Sequence, residues 1–341
     1  MARRCILTLL TCAAAIMGAH AETLHLYTWA DYVCPDVVTK FEKQHHCEVV
    51  IDVFDSNESM YARLKAGATG YDLVVPTAYM IQVMQAQGML ARLDHRQLPN
   101  LKHIDPAVLS KVPDKSMLHS VPYTLAFSTL AVRRDRVKNA VPSWAMFDHT
   151  ALSGRITLLD DMRESIGAAL KFLGYSANTR NDSELAAARE VLIRWKRNLA
   201  RFDNEGYKAG IDSAEYLLVQ GYSGDLFQVH LENPQVVILL PQEGMILGCD
   251  EFVILNSAQQ PTLAHAFIDF LLDPDIAAEN MQWMGYYCPN KAALQKVDSQ
   301  FLNNPAISMP ADLLNRSEVL EDLGADLVKY VKVWEQVKAA R

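Results

Sequence analysis

The chain has 341 residues, half of them hydrophobic, which is enough for two core-forming units of ordinary domain size. Its 40 acidic residues outnumber 32 basic ones. An acidic balance lacks the basic footprint that phosphate backbones require, so nucleic acid is excluded as an expected partner and cationic ligands are favoured.

The first 21 residues read as an export leader. Arg3 and Arg4 form a positive start, and "CILTLLTCAAAIMG" is an apolar run too short for a membrane span. "AHA" at residues 19–21 is a small-x-small cleavage site, which makes Glu22 the mature start after cleavage at Ala21. A second reading stays open. Leu9 stands three residues before Cys12, a loose lipoprotein pattern, and cleavage there would leave a lipidated Cys12 on a short tether. Either route exports the folded part. No later stretch is long and apolar enough to cross a bilayer.

Next, "TLHLYTW" alternates and predicts a strand, and "PDVVTKFEKQHH" predicts a helix with proline at its first position. "EVVIDVF" is a second strand. "DSNESMYARLKAG" predicts a helix that starts with Asp55 and Glu58 in capping-box spacing and stops at Gly67. "YDLVVP" suits a buried parallel strand, and "TAYMIQVMQAQG" a third helix. This order predicts an α/β unit with a mostly parallel sheet, whose ligands sit beyond the carboxyl ends of the strands. "STLAVRRD" then predicts a strand leaving that unit. A second α/β unit follows, with strands in "RITLLDD", "YLLVQGY" and "QVVILLP" and helices in "ESIGAALKFLGY" and "SELAAAREVLIRWKRNLARF". "EFVILN" reads as a return to the first sheet. The helix after Pro261 carries a core-facing stripe of Leu263, Ala266, Phe267, Phe270 and Leu271, and the last helix one of Leu327, Tyr330, Val331, Trp334 and Val337. A chain that crosses between two lobes more than once implies a hinge and a cleft.

The four cysteines beyond the leader, Cys34, Cys47, Cys249 and Cys288, fit no zinc spacing. Free, buried thiols are the expected state, with a Cys34–Cys47 bridge as the alternative in an oxidising compartment.

No G-x-S-x-G, H-E-x-x-H or P-loop motif is present, the ten histidines show no metal-ligand spacing, and nothing calls for a cofactor. Asp161 and Glu164 stand three apart after a strand. They could form the acid/base pair of a secreted glycosidase, although acids at a helix start also answer to the helix dipole. The stronger signal is collective. "YTWADY", "PTAYM", "LLDDMRE", "QGYSGD", "ILGCDEF" and "MGYYCPN" each place a ring, an acid or both where a strand or helix ends. Such a lining suits an alkyl cation. Carboxylates anchor ammonium groups by charge-assisted hydrogen bonds, and rings cover methylenes while adding about 0.5–2 kcal/mol each of cation–π attraction.

From about Thr23 to the C-terminus the chain resembles the periplasmic spermidine/putrescine-binding proteins that feed ABC importers. The most specific stretches are "YTWADY", "SNESMYARLKAGATGYDLVVPTAYM", "LLDDMRESIGAALKFLGYSANT" and "MGYYCPN". The resemblance implies an α/β, bilobal periplasmic binding protein of the type II class, with a hinge and a central cleft. It implies a monomeric receptor, not an enzyme, that closes on putrescine or spermidine and delivers it to membrane permease and ATPase subunits. The N-terminal lobe would take residues 22–127 plus 250–294 and the C-terminal lobe 132–245 plus 299–341, with crossings at 128–131, 246–249 and 295–298.

By position, the resemblance implies that Trp29 and Tyr32 wall the aliphatic chain, with Asp31 close to the cleft. Thr77, where the family has serine, would bond an amine together with Tyr79. Asp161 and Glu164 would hold one end of the ligand. Tyr222 replaces a tryptophan, Asp225 adds an acid, Asp250 grips an amine and Tyr286 is another wall. Two family positions depart: a tryptophan falls on Gly248 and a glutamine on Leu320, which bears on the choice between putrescine and spermidine. Rival readings keep the fold and change the ligand. Tyr286 and Tyr287 could serve as phenolate ligands of ferric ion. An amino acid would need an arginine for its carboxylate, and only Arg163 stands among the clusters.

Overall fold

Ten strands order the chain in this computed structural model, which describes residues 22–305, 307 and 309–340. The leader, with Cys12 and the cleavage site, lies outside the described residues. The strands are β1 Thr23–Thr28, β2 Glu48–Val53, β3 Leu73–Val74, β4 Val121–Arg133, β5 Ile156–Leu158, β6 Leu199–Phe202, β7 Leu218–Tyr222, β8 Val236–Leu239, β9 Ile246–Ile254 and β10 Glu318–Val319. Their order is β2-β1-β3-β9-β4-β7-β5-β6, with β8 against β4 and β10 against β9.

The expected parallel start is present, because β1 pairs in parallel with both β2 and β3. The second unit repeats it, with β5 parallel to β6 and β7. Between them run two long antiparallel strands. Residues 121–127 of β4 pair with β9, while from Ser128 onward β4 pairs with β7 and from Leu130 with β8. One continuous strand therefore leaves the first sheet and enters the second between Phe127 and Ser128. The molecule is a bilobal α/β fold whose lobes share β4 and β9.

Burial explains the elements. Leu24 and Leu26 of β1, Val37 and Phe41 of the helix Pro35–His45, and Phe252 and Phe267 close the first core. Trp144, Phe147, Trp195 and Tyr330 fill the second.

Several boundaries differ from the sequence reading. The helix Asn57–Lys65 is capped by Ser56, whose hydroxyl accepts from the Ser59 amide, so Asp55 is not the cap. β4 begins at Val121 rather than near Ser128. Pro122 argues against a regular strand, and the ladder indeed slips between Pro122 and Thr124. The long helix predicted through "NLARF" ends at Lys196, and Leu199–Phe202 pairs as β6. In the last helix Tyr330 and Val337 are buried, but Val331 is exposed. The helix Pro274–Met284 is an addition. All four cysteines of the described residues are free and buried. Cys34 and Cys47 flank an 11-residue helix, roughly 16 Å long, which is beyond the reach of a disulfide.

Glu251 is fully buried on β9, and neither carboxyl oxygen makes a well-formed hydrogen bond among the described residues; the nearby Ser120 hydroxyl offsets its burial only in part. Burial pushes its pKa to about 8, so the folded protein holds a proton that the unfolded chain releases near pH 4–5. Stability from this group is complete below that range and is lost as pH rises through about 8. Glu251→Gln should therefore recover about 4–5 kcal/mol of unfolding free energy at pH 8.5 relative to the parent, and little at pH 4. Denaturant titrations at the two pH values measure it; an equal effect at both would show that Glu251 is ionised in the fold.

Candidate functional site

A cavity of about 500 Å³ opens between the lobes. It collects the carboxyl ends of β1, β5 and β7, the turn after β3, and the β4–β9 ladder where β4 changes partners. Every expected site residue except Asp31 lines it: Trp29, Tyr32, Thr77, Tyr79, Asp161, Glu164, Tyr222, Asp225, Asp250 and Tyr286. Asp31 is exposed and absent from the lining. Its backbone is left-handed, φ 53°. That turn sends Tyr32 inward and leaves Asp31 in solvent.

Asp250 is the most constrained acid. Its neighbours in register are Thr77 on one side and Thr124 on the other. Thr77 Oγ1 donates to Asp250 Oδ1 at 2.6 Å, and the Tyr32 hydroxyl donates to Oδ2. The Tyr32 and Thr124 hydroxyls stand 2.6 Å apart, and Asn57 Nδ2 donates to Thr77 Oγ1 at 3.0 Å. Burial pushes the Asp250 carboxyl up from the usual range, and these hydroxyls oppose the shift. Thr77 thus positions Asp250 with the hydroxyl that the sequence reading assigned to an amine.

The second pair of acids comes from the helix Met162–Phe172. Asp161 is its N-cap: Oδ1 accepts from the amides of Arg163 and Glu164 at 2.8 and 3.0 Å. This satisfies amides that a helix start leaves unpaired. Glu164 is buried, and the Ser128 hydroxyl donates to its Oε2 at 2.6 Å. Its pKa rises to about 8, first through burial and then through the field of Asp161. The two acids sit on one helix start, and each is already held by a donor, the helix amides for Asp161 and the Ser128 hydroxyl for Glu164. Arg163 turns its guanidinium to the Glu321 carbonyl and the Asn178 side chain at 3.1 and 2.7 Å.

The rings form the walls. Trp29 Nε1 donates to the Val75 carbonyl at 2.9 Å, which fixes the indole. Tyr32 meets Tyr286 edge-on at 5.5 Å between centroids. A Cβ on Gly224 would stand 2.3 Å from the Tyr286 ring, so only glycine admits this approach. Burial raises the pKa of Tyr32, Tyr79, Tyr222 and Tyr286, which keeps these phenols neutral. Tyr287 is outside the lining and pairs through its backbone with Leu125, so the neighbouring tyrosines do not converge as phenolate ligands. Gly248 and Leu320 both line the cavity. A Cβ at Gly248 would meet only Thr77 Cγ2, at 3.7 Å, an ordinary contact.

Sequence reasoning missed Asn57, Thr124 and Ser128. Thr124 and Ser128 lie four apart in "TLAFS", a polar spacing on one strand face that becomes visible only once β4 is recognised.

Residues 36–310 match the model of the bacterial extracellular solute-binding protein family. The chain is 32% identical over 354 residues to a putrescine/cadaverine-binding protein of Pseudomonas aeruginosa, covering 99% of both chains. It is 32% identical over 334 residues to the spermidine/putrescine-binding periplasmic protein of Escherichia coli, covering 96% of each. The TpPotD lipoprotein of Treponema pallidum superimposes with a TM-score of 0.86 at 33% identity, covering 93% of this chain and 99% of that one.

Tyr32→Phe tests the hydroxyl network at Asp250. The ring is retained, but one donor to the carboxylate is lost, so the Asp250 pKa should rise further above the usual carboxylate range. Carbon-detected NMR titration of labelled aspartate follows it; an unchanged pKa would mean that Thr77 and Thr124 hold the charge without Tyr32.

Proposed function

The chain belongs to the bacterial extracellular solute-binding protein family, and from that premise we propose that it binds a linear polyamine and delivers it to the permease and ATPase subunits of an ABC importer. The observation that carries this reading is Asp250, a buried acid in a ring-walled cavity that is held by hydroxyls and paired with no basic side chain among the described residues. An ammonium group is the partner it lacks. The names of the relatives support the same ligand class.

One terminal ammonium would sit at Asp250 and the other near Asp161 and Glu164. Trp29, Tyr32, Tyr222 and Tyr286 would cover the methylenes between them. Gly248 and Leu320 offer a third ammonium neither ring nor polar partner, which favours a short diamine such as putrescine over spermidine. The receptor turns nothing over and acts as a monomer. Its lobes take residues 22–127 plus 250–294 and 132–245 plus 299–341, crossing at 128–131, 246–249 and 295–298. It works in the periplasm, with the leader either cleaved after Ala21 or retained in part through a lipidated Cys12.

Asp250→Asn should weaken putrescine binding by about a hundredfold or more, because one partner of a buried charge pair is removed. Calorimetric titration checks this, and near-parental affinity would remove Asp250 from the site.

The acid at Glu164 adds a pH dependence. With a pKa of about 8 it is mostly protonated at neutral pH in the free protein, whereas a bound ammonium favours the ionised form. Binding then expels a proton. Affinity should climb between about pH 6 and pH 8, approaching tenfold per unit, and level off above, since alkylamines stay charged to about pH 10. Titration in buffers of different ionisation enthalpy counts the proton. Glu164→Gln should flatten the slope, and a parental slope in that variant would assign the proton elsewhere.

A further inference from the structure

The acids of the cavity wall differ in what compensates them. Asp250 meets hydroxyls, Asp161 meets backbone amides and Glu164 meets the Ser128 hydroxyl. Asp225 is the exception among these four, because a cation touches it directly, whereas Arg163 acts on Asp161 and Glu164 only through its field, its guanidinium being bound to the Glu321 carbonyl and Asn178. Lys208 Nζ lies 3.2 Å from Asp225 Oδ1, and the Tyr207 hydroxyl donates to Oδ2. Both carboxylate oxygens are therefore occupied from within the protein.

The clamp is built rather than incidental. Tyr207 and Lys208 are consecutive on the helix Tyr207–Asp212, and Asp225 lies in the first turn of the helix Ser223–Glu232. Tyr207 is fully buried, and a Cβ on Gly221 would meet its ring at 2.4 Å, so the helix is locked against β7. Lys208 is not itself part of the lining. It touches Asp225 without lining the cavity, and the side chains of the pair are 32% and 21% exposed, partly withdrawn from solvent.

We propose that Lys208 is a built-in counter-ion that cancels Asp225 and thereby limits the cleft to ligands with two ammonium groups. The inference rests on the polyamine reading above. A diamine uses Asp250 at one end and Asp161 with Glu164 at the other. A further ammonium along the Asp225 wall meets an acid whose charge is already matched, and the Lys208 charge repels it. Without Lys208 the same carboxylate becomes a third anchor.

The test is the ratio of two affinities. Putrescine and spermidine are titrated calorimetrically into the parent, Lys208→Met, Lys208→Gln and Lys208→Arg, at one ionic strength. Either neutral variant should shift the ratio towards spermidine by roughly fivefold, the scale of a partly exposed charge pair. Lys208→Arg should keep the parental ratio, and adding Asp225→Asn to Lys208→Met should abolish the shift. A merely structural role for Lys208 would lower both affinities together and leave the ratio in place, which overturns the proposal. A shift that survives in the double variant overturns it too. If the parent binds neither amine, the polyamine reading falls and this inference with it, whereas parental binding with an unmoved ratio sinks the inference alone.

Discussion

Asp250 enters the cleft from β9, and burial drives its carboxyl towards the neutral form unless donors hold the charge. Those donors are supplied by sheet order. β9 lies between β3 and β4, which sets Thr77 and Thr124 on either side of Asp250 in register, while Tyr32 arrives from the end of β1. β4 then serves the other acid as well. Thr124 supports the network at Asp250, and Ser128, four residues along the same strand face, donates to Glu164. Four residues of strand span about 13 Å. Both ends of the cleft are thus referenced to one strand, and the strand is the one that passes from lobe to lobe.

The walls follow from the same constraint. Charged acids left in a low-dielectric cleft need either cations or neutral, polarisable neighbours. The buried tyrosines stay protonated, so they add no negative charge to a site already rich in it. Their ring faces remain available to an alkyl chain and to a cation.

Much of this was legible in the sequence, where local pattern and tertiary demand agree. β1 alternates, the helix from Pro35 begins with proline, and the acids and rings stand at element ends where α/β sheets expose them. What escaped depended on partners distant in the chain. The first half of β4 is disguised by Pro122, and its polar residues read as surface although Thr124 and Ser128 are fully buried. "LARF" has helical neighbours and is claimed by β5 only in three dimensions. Asp31 resembles its acidic neighbours in sequence, yet a left-handed turn sends it outward. Lys208 carries no local mark at all, because its meaning comes from Asp225, 17 residues away.

Gly248 on the cavity wall and Gly224 behind the Tyr286 ring leave unequal room for descent with modification. At Gly224 even a methyl group would collide with Tyr286, so drift there is closed and the position can only be inherited. At Gly248 the backbone is ordinary strand and the space beyond is open. A lineage can therefore acquire a side chain at 248 without first repairing the fold. The lining at that position can therefore change while the contacts that shape the cleft are passed on unchanged.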